Sequence, residues 1–439
     1  MSKRVLIIGG GVVGLCTAYY SARRGFKVTV LERNSANRDS CSAGNAGMIV
    51  PSHFVPLAAP GMIALGLKWM WNPASPFYIK PRLDADLIGW ALKFWRAANP
   101  QHVERSAPLL RDLSIASREC FEELAGAPIS GSASSGSEPV TGQSGDRRSG
   151  IGDFGLVKRG LLMLCKTQHG LDDEAKFAAR ANTLGVPAQV LDAKQTAALD
   201  PGARMDIAGS VLFPKDCHLV PDRFLATVEA ECKKLGVEFV FDAPVTGWKR
   251  DGSRIAAVCT ARGEHEADEF VLCGGVWSEG LACELGLRLP MQAGKGYSLT
   301  LPKPRQLPQL CSILSEARCT VTPMGGALRV GGTMELAGLN EDINPVRVRG
   351  IVDSFCRYYP EFTPADFYGV KPWRGLRPCS PDGLPYVGRT ALFANLALAT
   401  GHAMMGLSLG PITGRLVAGI LSGEKPAWGL SLLAPDRYG

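Results

Sequence analysis

The stretch Arg4-Val5-Leu6-Ile7-Ile8-Gly9-Gly10-Gly11-Val12-Val13-Gly14 sets a short apolar strand directly before a glycine-rich turn. The turn carries the pattern G-x-G-x-x-G, and each glycine has its own physical task. Gly9 serves the tight turn, Gly11 lets backbone approach a pyrophosphate, and Gly14 lets the following helix pack closely. The first amides of that helix, at Val12 and Val13, have no partners within it and face an anion. A second apolar strand, Lys27-Val-Thr-Val-Leu31, ends at Glu32, whose carboxylate is placed to accept both ribose hydroxyls of an adenosine, with Arg33 beside it. Strand, turn, helix and acid in this order predict a βαβ unit that binds a dinucleotide.

Residues 5–22 are uncharged and follow Lys3-Arg4, so they imitate a signal peptide or a membrane span. The glycine spacing, the polar helix end Ser21-Ala-Arg-Arg-Gly25 and the resumption as a strand favour a buried unit with no export signal. The 439 residues suggest two or three structural units, and 46% hydrophobic with 20% charged residues is an ordinary globular composition. Thirteen cysteines are scattered without any C-x-x-C, so neither a disulfide framework nor a metal site is expected, and a reducing cytoplasmic compartment fits. Residues 1–126 carry 15 Lys/Arg against 9 Asp/Glu, which holds most of the formal charge of +7. They lack the dense basic stripe with interleaved aromatics that nucleic-acid binding requires, and no nucleic-acid partner is expected.

After the βαβ unit the chain departs from a simple alternating pattern. Residues 41–62 read as a Gly/Ala/Pro/Ser loop, and 63–125 as mainly helical. Residues 127–150 are dominated by Ser and Gly and read as a flexible insertion. Residues 154–158 and 161–165 read as a hairpin split by Arg159-Gly160. Strand signals dominate 237–272 and recur between 296 and 333. Near residue 270 an apolar strand, Phe270-Val-Leu-Cys, runs into Gly274-Gly275-Val-Trp-Ser278, a small-residue turn with Ser278 opening a helix. A last strand meets Thr400-Gly401-His402-Ala-Met404-Met405-Gly406, predicted to start a helix from Met405 to Leu421 whose first amides face the cofactor ring. A mononucleotide fold interrupted this way fits a long cofactor touched by widely separated segments, and FAD fits that description.

With Ser42-Ala-Gly-Asn45-Ala46-Gly47-Met48, Ala58-Ala-Pro60-Gly61, Lys295-Gly296-Tyr297-Ser298-Leu299-Thr300, Gly375-Leu376-Arg377-Pro378 through Ser380-Pro381-Asp382-Gly383, and Gly401-His402 in order, the chain resembles a known family. It is similar to the FAD-dependent amine oxidoreductases of the D-amino acid oxidase, glycine oxidase and sarcosine oxidase group, most of all to their bacterial D-amino acid dehydrogenase branch. The resemblance runs from Arg4 almost to the C-terminus, leaving out 127–150. It implies an α/β fold with an α+β substrate part: a discontinuous Rossmann-like FAD-binding domain over 1–62, 171–278 and 370–439, and a mainly antiparallel substrate domain over 63–170 and 279–369. It implies non-covalent FAD, since relatives with a cysteinyl link place the thiol where this chain has Gly375, and Cys379 is out of register. Carried over by position, Ser42, Asn45, Ala46, Gly47 and Met48 lie along the pyrophosphate and ring, Val245 meets the adenine, and Gly274, Gly275, Gly401, His402, Met404, Met405 and Gly406 line the flavin. At His402 the backbone is expected to matter more than the imidazole.

The implied reaction is oxidative deamination of a D-amino acid: hydride passes from the α-carbon to flavin N5, and the imino acid is hydrolysed to a 2-oxo acid. Arg377 is the expected carboxylate holder, because a guanidinium gives two parallel charge-assisted bonds that lysine cannot reproduce. An ion pair with the Pro381-Asp382-Gly383 turn is the structural alternative for Arg377, and Arg374 is the competing carboxylate binder. Tyr297 is expected to bond the carboxylate, close the pocket or fill the core, and His53 to touch substrate or pack. Trp69, Trp71, Phe77, Tyr78, Trp90, Phe94 and Trp95, with nearby Lys and Arg, suit either helical core or a membrane surface. From the dehydrogenase branch, a quinone or respiratory-chain acceptor and peripheral contact with the inner face of the cytoplasmic membrane are expected. The alternative within the family is oxidation of a secondary amine such as D-hydroxyproline, sarcosine or glycine. A flavin module of an RNA-modifying enzyme would need a fused domain, and a non-catalytic FAD scaffold would lack Arg377 and the C-terminal glycine turn.

Overall fold

The computed structural model describes residues 2–37, 40–70, 75–82, 84–126 and 150–439. Strand Arg4–Ile8 lies at the centre of a six-stranded sheet, and Val5 through Ile8 are buried on both faces, as a central parallel strand requires. Its neighbours Lys27–Leu31 and Glu269–Leu272 are parallel to it, and Glu238–Val240 and Leu396–Thr400 extend the sheet in parallel. Tyr386–Arg389 closes one edge antiparallel. Helix Val12–Arg23 packs against helix Gly410–Leu421 at very short range, because a Cβ on Gly414 would stand 2.4 Å from the backbone of Cys16.

The second unit is a larger, mainly antiparallel sheet. Its strands run in the order Trp373–Cys379, Gln292–Leu301, Ala327–Leu336, Cys319–Met324, Cys311–Leu314, Leu161–Cys165, Gly209–Phe213 and Gln189–Asp192, with Phe77–Ile79 beside Ala327–Leu336. Two of its pairings are parallel, Cys311–Leu314 with Leu161–Cys165 and Ala327–Leu336 with Phe77–Ile79. Helix Pro345–Tyr358 covers one face and buries Ile351, Val352, Phe355 and Tyr358 in the core beneath. A three-stranded antiparallel ribbon, Val245–Asp251, Arg254–Thr260 and Gly263–Glu266, and a two-stranded pair, Met48–Ile49 with Cys217–His218, complete the sheets among the described residues.

Several expectations change. Residues 154–158 make no hairpin with Leu161–Cys165: Val157 bridges to His218, and Leu161–Cys165 pairs with Cys311–Leu314 and Gly209–Phe213. Residues 189–213, counted with the cofactor unit in the sequence, supply two strands of the larger sheet. Residues 127–149 of the expected insertion, and Trp71, lie outside the described residues. Helix Gly410–Leu421 begins five residues later than expected, after a 3₁₀ turn at Ala403–Met405.

Candidate active site

One cavity of about 840 Å³ takes its walls from seven separate stretches of chain. The glycine turn contributes Gly9, Gly11, Val12 and Val13, the second strand end contributes Glu32 and Arg33, and the loop after it contributes Cys41, Ser42 and Asn45. Asp242 to Val245 and Cys273 to Trp277 add a third side, and His402, Ala403 and Gly406 a fourth. Glu341, Arg374, Leu376, Arg377 and Pro378 bring in the larger sheet.

The glycines separate into two kinds. Gly9 has φ +110°, and a Cβ there would lie 2.5 Å from the Cys273 carbonyl oxygen, while a Cβ on Gly14 would lie 1.9 Å from that of Gly9. Protein packing alone demands both. Gly11 is different, since its φ of −71° suits any residue and its Cβ would meet only Ser42 Oγ, at 3.6 Å. The protein does not crowd Gly11; the cavity does border it. A glycine whose only reason is open space beside a helix N-terminus fits a pyrophosphate lying against it. Glu32 is buried, and its carboxylate accepts the amides of Gly10 (2.8 Å) and Asn34 (2.9 Å), so it stands fixed at the cavity wall with lone pairs to spare for ribose hydroxyls. These residues fit FAD.

Arg33, expected beside Glu32, has a partner that the sequence did not show, and the contacts of Arg329 and Ser298 were not legible there either. Arg33 stacks over Trp277 at 3.7 Å, and both line the cavity. Arg329 reaches across from the larger sheet and donates to the carbonyls of Ala43 (3.0 Å) and Asn45 (2.8 Å), while Ser298 Oγ donates to Gly44 (3.2 Å). The loop that carries Ser42 and Asn45 is therefore pinned to the second unit. Ser42 Oγ in turn accepts the Val12 amide (3.1 Å).

At the far end Arg377 rests over the bare backbone of Gly296, where a Cβ would fall 2.3 Å from the guanidinium. Its Nη1 donates to the Thr333 carbonyl (2.7 Å). Thr333 is a non-glycine residue at φ +65°, standing where the pairing of Gln292–Leu301 with Ala327–Leu336 slips register between Lys295 and Tyr297. Such a bulge re-aims a strand's groups, and here it turns a carbonyl onto the arginine. Among the described residues no carboxylate pairs with Arg377. Asp382 is bound instead by Arg437, at 2.7 and 3.0 Å, which removes the expected alternative of an ion pair on the Pro381-Asp382-Gly383 turn. Arg374, also at the cavity wall, pairs with Glu341 (3.2 Å).

The remaining candidates divide. Val245, Gly274, Gly275, His402 and Gly406 line the cavity, whereas Ala46, Gly47, Met48, Gly401, Met404 and Met405 do not. Met48 pairs with His218 in a two-residue ladder, and Gly47 at φ +73° is needed because a Cβ would strike the Leu219 carbonyl. His402 is buried with its Nε2 against Thr413 Oγ1 (3.0 Å), and burial lowers its pKa to about 4. The expected flavin-facing end of the last helix is corrected: Gly410 packs on Val12, and the preceding 3₁₀ turn meets the cavity. Tyr297 takes the core alternative and not the substrate contact. Its hydroxyl donates to buried Glu335 (2.8 Å) on the sheet face opposite Arg377, and burial with that bond pushes its pKa up. His53 does not line the cavity; its Nδ1 lies 3.0 Å from Ser52 Oγ.

The sequence profile of the FAD dependent oxidoreductase family (DAO) matches residues 4–420. The chain is 32% identical over 444 residues to the D-amino acid dehydrogenase of Bradyrhizobium diazoefficiens, covering 99% of each. It is 32% identical over 440 residues to that of Granulibacter bethesdensis, again covering 99% of each. Among solved structures, the glycine oxidase of Geobacillus kaustophilus superposes with a TM-score of 0.72 at 22% identity over 100% of both chains. The FAD-bound L-alpha-glycerophosphate oxidase of Mycoplasma pneumoniae gives 0.69 at 15% identity over 98% of this chain and 97% of its own. These two likenesses speak for the fold alone.

Proposed function

The chain belongs to the DAO family of FAD-dependent oxidoreductases, and from that premise we propose that it deaminates a D-amino acid oxidatively and passes the electrons to a quinone or respiratory acceptor. The observation that carries the reading is Arg377, a guanidinium at the cavity wall, oriented by a backbone carbonyl and without a carboxylate partner among the described residues. A substrate carboxylate supplies that partner through a two-point, charge-assisted contact. Gly296 leaves the room in which the arginine lies, and the Thr333 bulge fixes its rotation. With the carboxylate held, the α-carbon keeps one orientation toward the cofactor, which is the protein's main contribution to a transfer between bound partners. FAD, when bound, supplies the two-electron acceptor for the α-hydrogen. The amino acid enters this mechanism as the neutral amine, so no side-chain base is needed at the α-carbon.

The acceptor and the membrane contact rest on the helix Ala85–Ala97. Trp90 is core, donating to the Cys379 carbonyl (2.8 Å), but Ile88, Leu92 and Trp95 are more than half exposed at i, i+4 and i+7, with Lys93 and Arg96 beside them. No helix among the described residues is long and apolar enough to cross a membrane, so the proposed contact is peripheral.

The test is an anaerobic screen of D- and L-amino acids and secondary amines against the yellow holoprotein, followed by oxygen or a soluble quinone. The reading expects D-amino acids to bleach the flavin, the reduced protein to persist in air, and the quinone to restore the colour. Fast reoxidation by oxygen with stoichiometric peroxide would make the protein an oxidase. Bleaching by secondary amines alone would replace the substrate class.

A further inference from the structure

The bulge that turns the Thr333 carbonyl onto Arg377 has a second face, and a cluster of buried polar groups stands on it. Lys295 pairs in register with Glu335 and Tyr297 with Gly332, so two residues, Thr333 and Met334, oppose the single Gly296. Lys295 and Tyr297, on either side of Gly296, send their side chains to the face that Glu335 shares, while Arg377 lies over Gly296 on the other. Lys295, Tyr297 and Glu335 are all buried. The Tyr297 hydroxyl donates to Glu335 Oε2 (2.8 Å), although its partner across the ladder is Gly332, three residues before Glu335. Lys295 Nζ lies 3.8 Å from Glu335 Oε1 and donates to Asn340 Oδ1 (2.7 Å) and to the Asp342 carbonyl (2.7 Å). One carboxylate therefore grips both residues that flank Gly296, and it does so across the extra residue of the bulge.

Thr333 needs such a hold. A β-branched residue at φ +65° is strained, and strain of this kind persists only where its surroundings over-determine it. On the other side of Ala327–Leu336 the neighbouring strands leave a gap at this point: the pairing with Cys319–Met324 ends at Gly331, and the pairing with Phe77–Ile79 begins at Met334. The peptide that joins Thr333 to Met334 hangs between the Pro76 carbonyl, which accepts the Met334 amide (2.7 Å), and Arg377, which donates to the Thr333 carbonyl (2.7 Å). Those two bonds set the tilt of the peptide, and neither sets the register in which the bulge forms.

We infer that Glu335 is a positioning residue for the substrate carboxylate: by gripping Lys295 and Tyr297 it holds the bulge in the register that presents the Thr333 carbonyl to Arg377. The inference rests on the reading of Arg377 as the carboxylate holder. Arg347 completes the cluster, with Nε 3.7 Å from Glu335 Oε2 and Nη1 donating to the Ser75 carbonyl (2.9 Å). Glu335 thus faces two buried cations, and a neutral residue in its place leaves both without it, which threatens the fold itself. Tyr297→Phe is the cleaner change. It removes the hydroxyl, with its bond to Glu335 and the one it accepts from the Asn344 amide (3.3 Å), and leaves every charge in place.

The test is anaerobic flavin reduction by the fastest D-amino acid of the screen and by its decarboxylated amine, in wild type, Tyr297→Phe, Arg377→Lys and the double variant. Tyr297→Phe is expected to slow reduction by the amino acid roughly tenfold, to leave reduction by the amine and the flavin content unchanged, and to have no further effect on Arg377→Lys, which has no guanidinium left to aim. Glu335→Gln, where it folds, should act in the same direction. A structural role alone would slow both substrates alike, or slow Arg377→Lys as much as wild type, and either result overturns the clamp. A crystal structure of the Tyr297→Phe holoprotein adds a readout that does not depend on turnover: the Thr333 carbonyl should turn away from Arg377 Nη1, and a bond kept as in wild type overturns the clamp as well. If wild type does not prefer the amino acid to the amine, the reading of Arg377 fails, while that crystal structure still decides whether the bond to Glu335 holds the bulge.

Discussion

The two walls of the cavity are built on different principles. The wall of the parallel sheet is mostly backbone: Gly9, Gly11 and Gly14, the start of helix Val12–Arg23, and strand ends that meet at Gly274 and Gly275. The wall of the larger sheet is a side-chain assembly, in which Arg377, Gly296 and Thr333 come from three paired strands and work only in one register. The first is fixed by close backbone packing at Gly9 and Gly14, whereas the second depends on strand register.

Variants that separate the walls give the sharpest tests. The largest effect is expected from Gly14→Ala, whose Cβ would meet a backbone oxygen that cannot step aside; soluble folded protein should be lost, as expression and circular dichroism would report. Next is Arg377→Lys. It should keep its flavin but lose about 1.5 to 3 kcal/mol of substrate interaction, roughly tenfold to over a hundredfold in kcat/KM for flavin reduction. Gly296→Ala, which intrudes on the same guanidinium, should act in the same direction. Gly11→Ala should leave the melting of the apoprotein unchanged and weaken FAD by roughly tenfold to a hundredfold, measured by titrating flavin back into stripped protein. Acid precipitation of wild type should release the flavin to the supernatant, and a yellow pellet would show a covalent link.

How much of this was legible follows the same division. Gly9, Gly14 and Glu32 were readable because their requirements are local, set within one strand, turn and helix. Arg377 came from the resemblance, and its support did not: the Thr333 bulge exists only once three strands are in register. Of the places open to Tyr297 it takes the core, and the sequence held a pointer to that choice. Gly296 and Tyr297 are successive strand residues and face opposite ways, so an arginine lying over one cannot share a face with the other. The last helix was started too early because Gly401 to Gly406 was read as its first turn, whereas a 3₁₀ turn intervenes and the helix start is spent on packing against Val12. Trp277 and Arg329 gave no signal, since each acts through partners far away in sequence.

The smallest predicted effect lies just beyond Arg377. Burial would raise Asp382, but the bonds from Arg437 and the Leu384 amide bring it below its ordinary value of 3.8. A depressed carboxylate adds stability above its unfolded pKa and loses it as pH falls through the folded value. Arg437→Met removes the largest of the groups that oppose burial, so it should melt a few degrees below wild type at neutral pH, and the gap should narrow as pH falls to about 4, where wild type loses this contribution and the variant does not. Equal acid sensitivity of the two proteins would detach this pair from the stability of the turn.

The central claim is that the side-chain wall holds a carboxylate through Arg377. The direct measurement compares anaerobic flavin reduction by the fastest D-amino acid with reduction by its decarboxylated amine, in wild type and in Arg377→Lys. The account predicts strong preference for the amino acid in wild type and collapse of that preference in the variant, with flavin content unchanged. A preference that survives the substitution intact would contradict it.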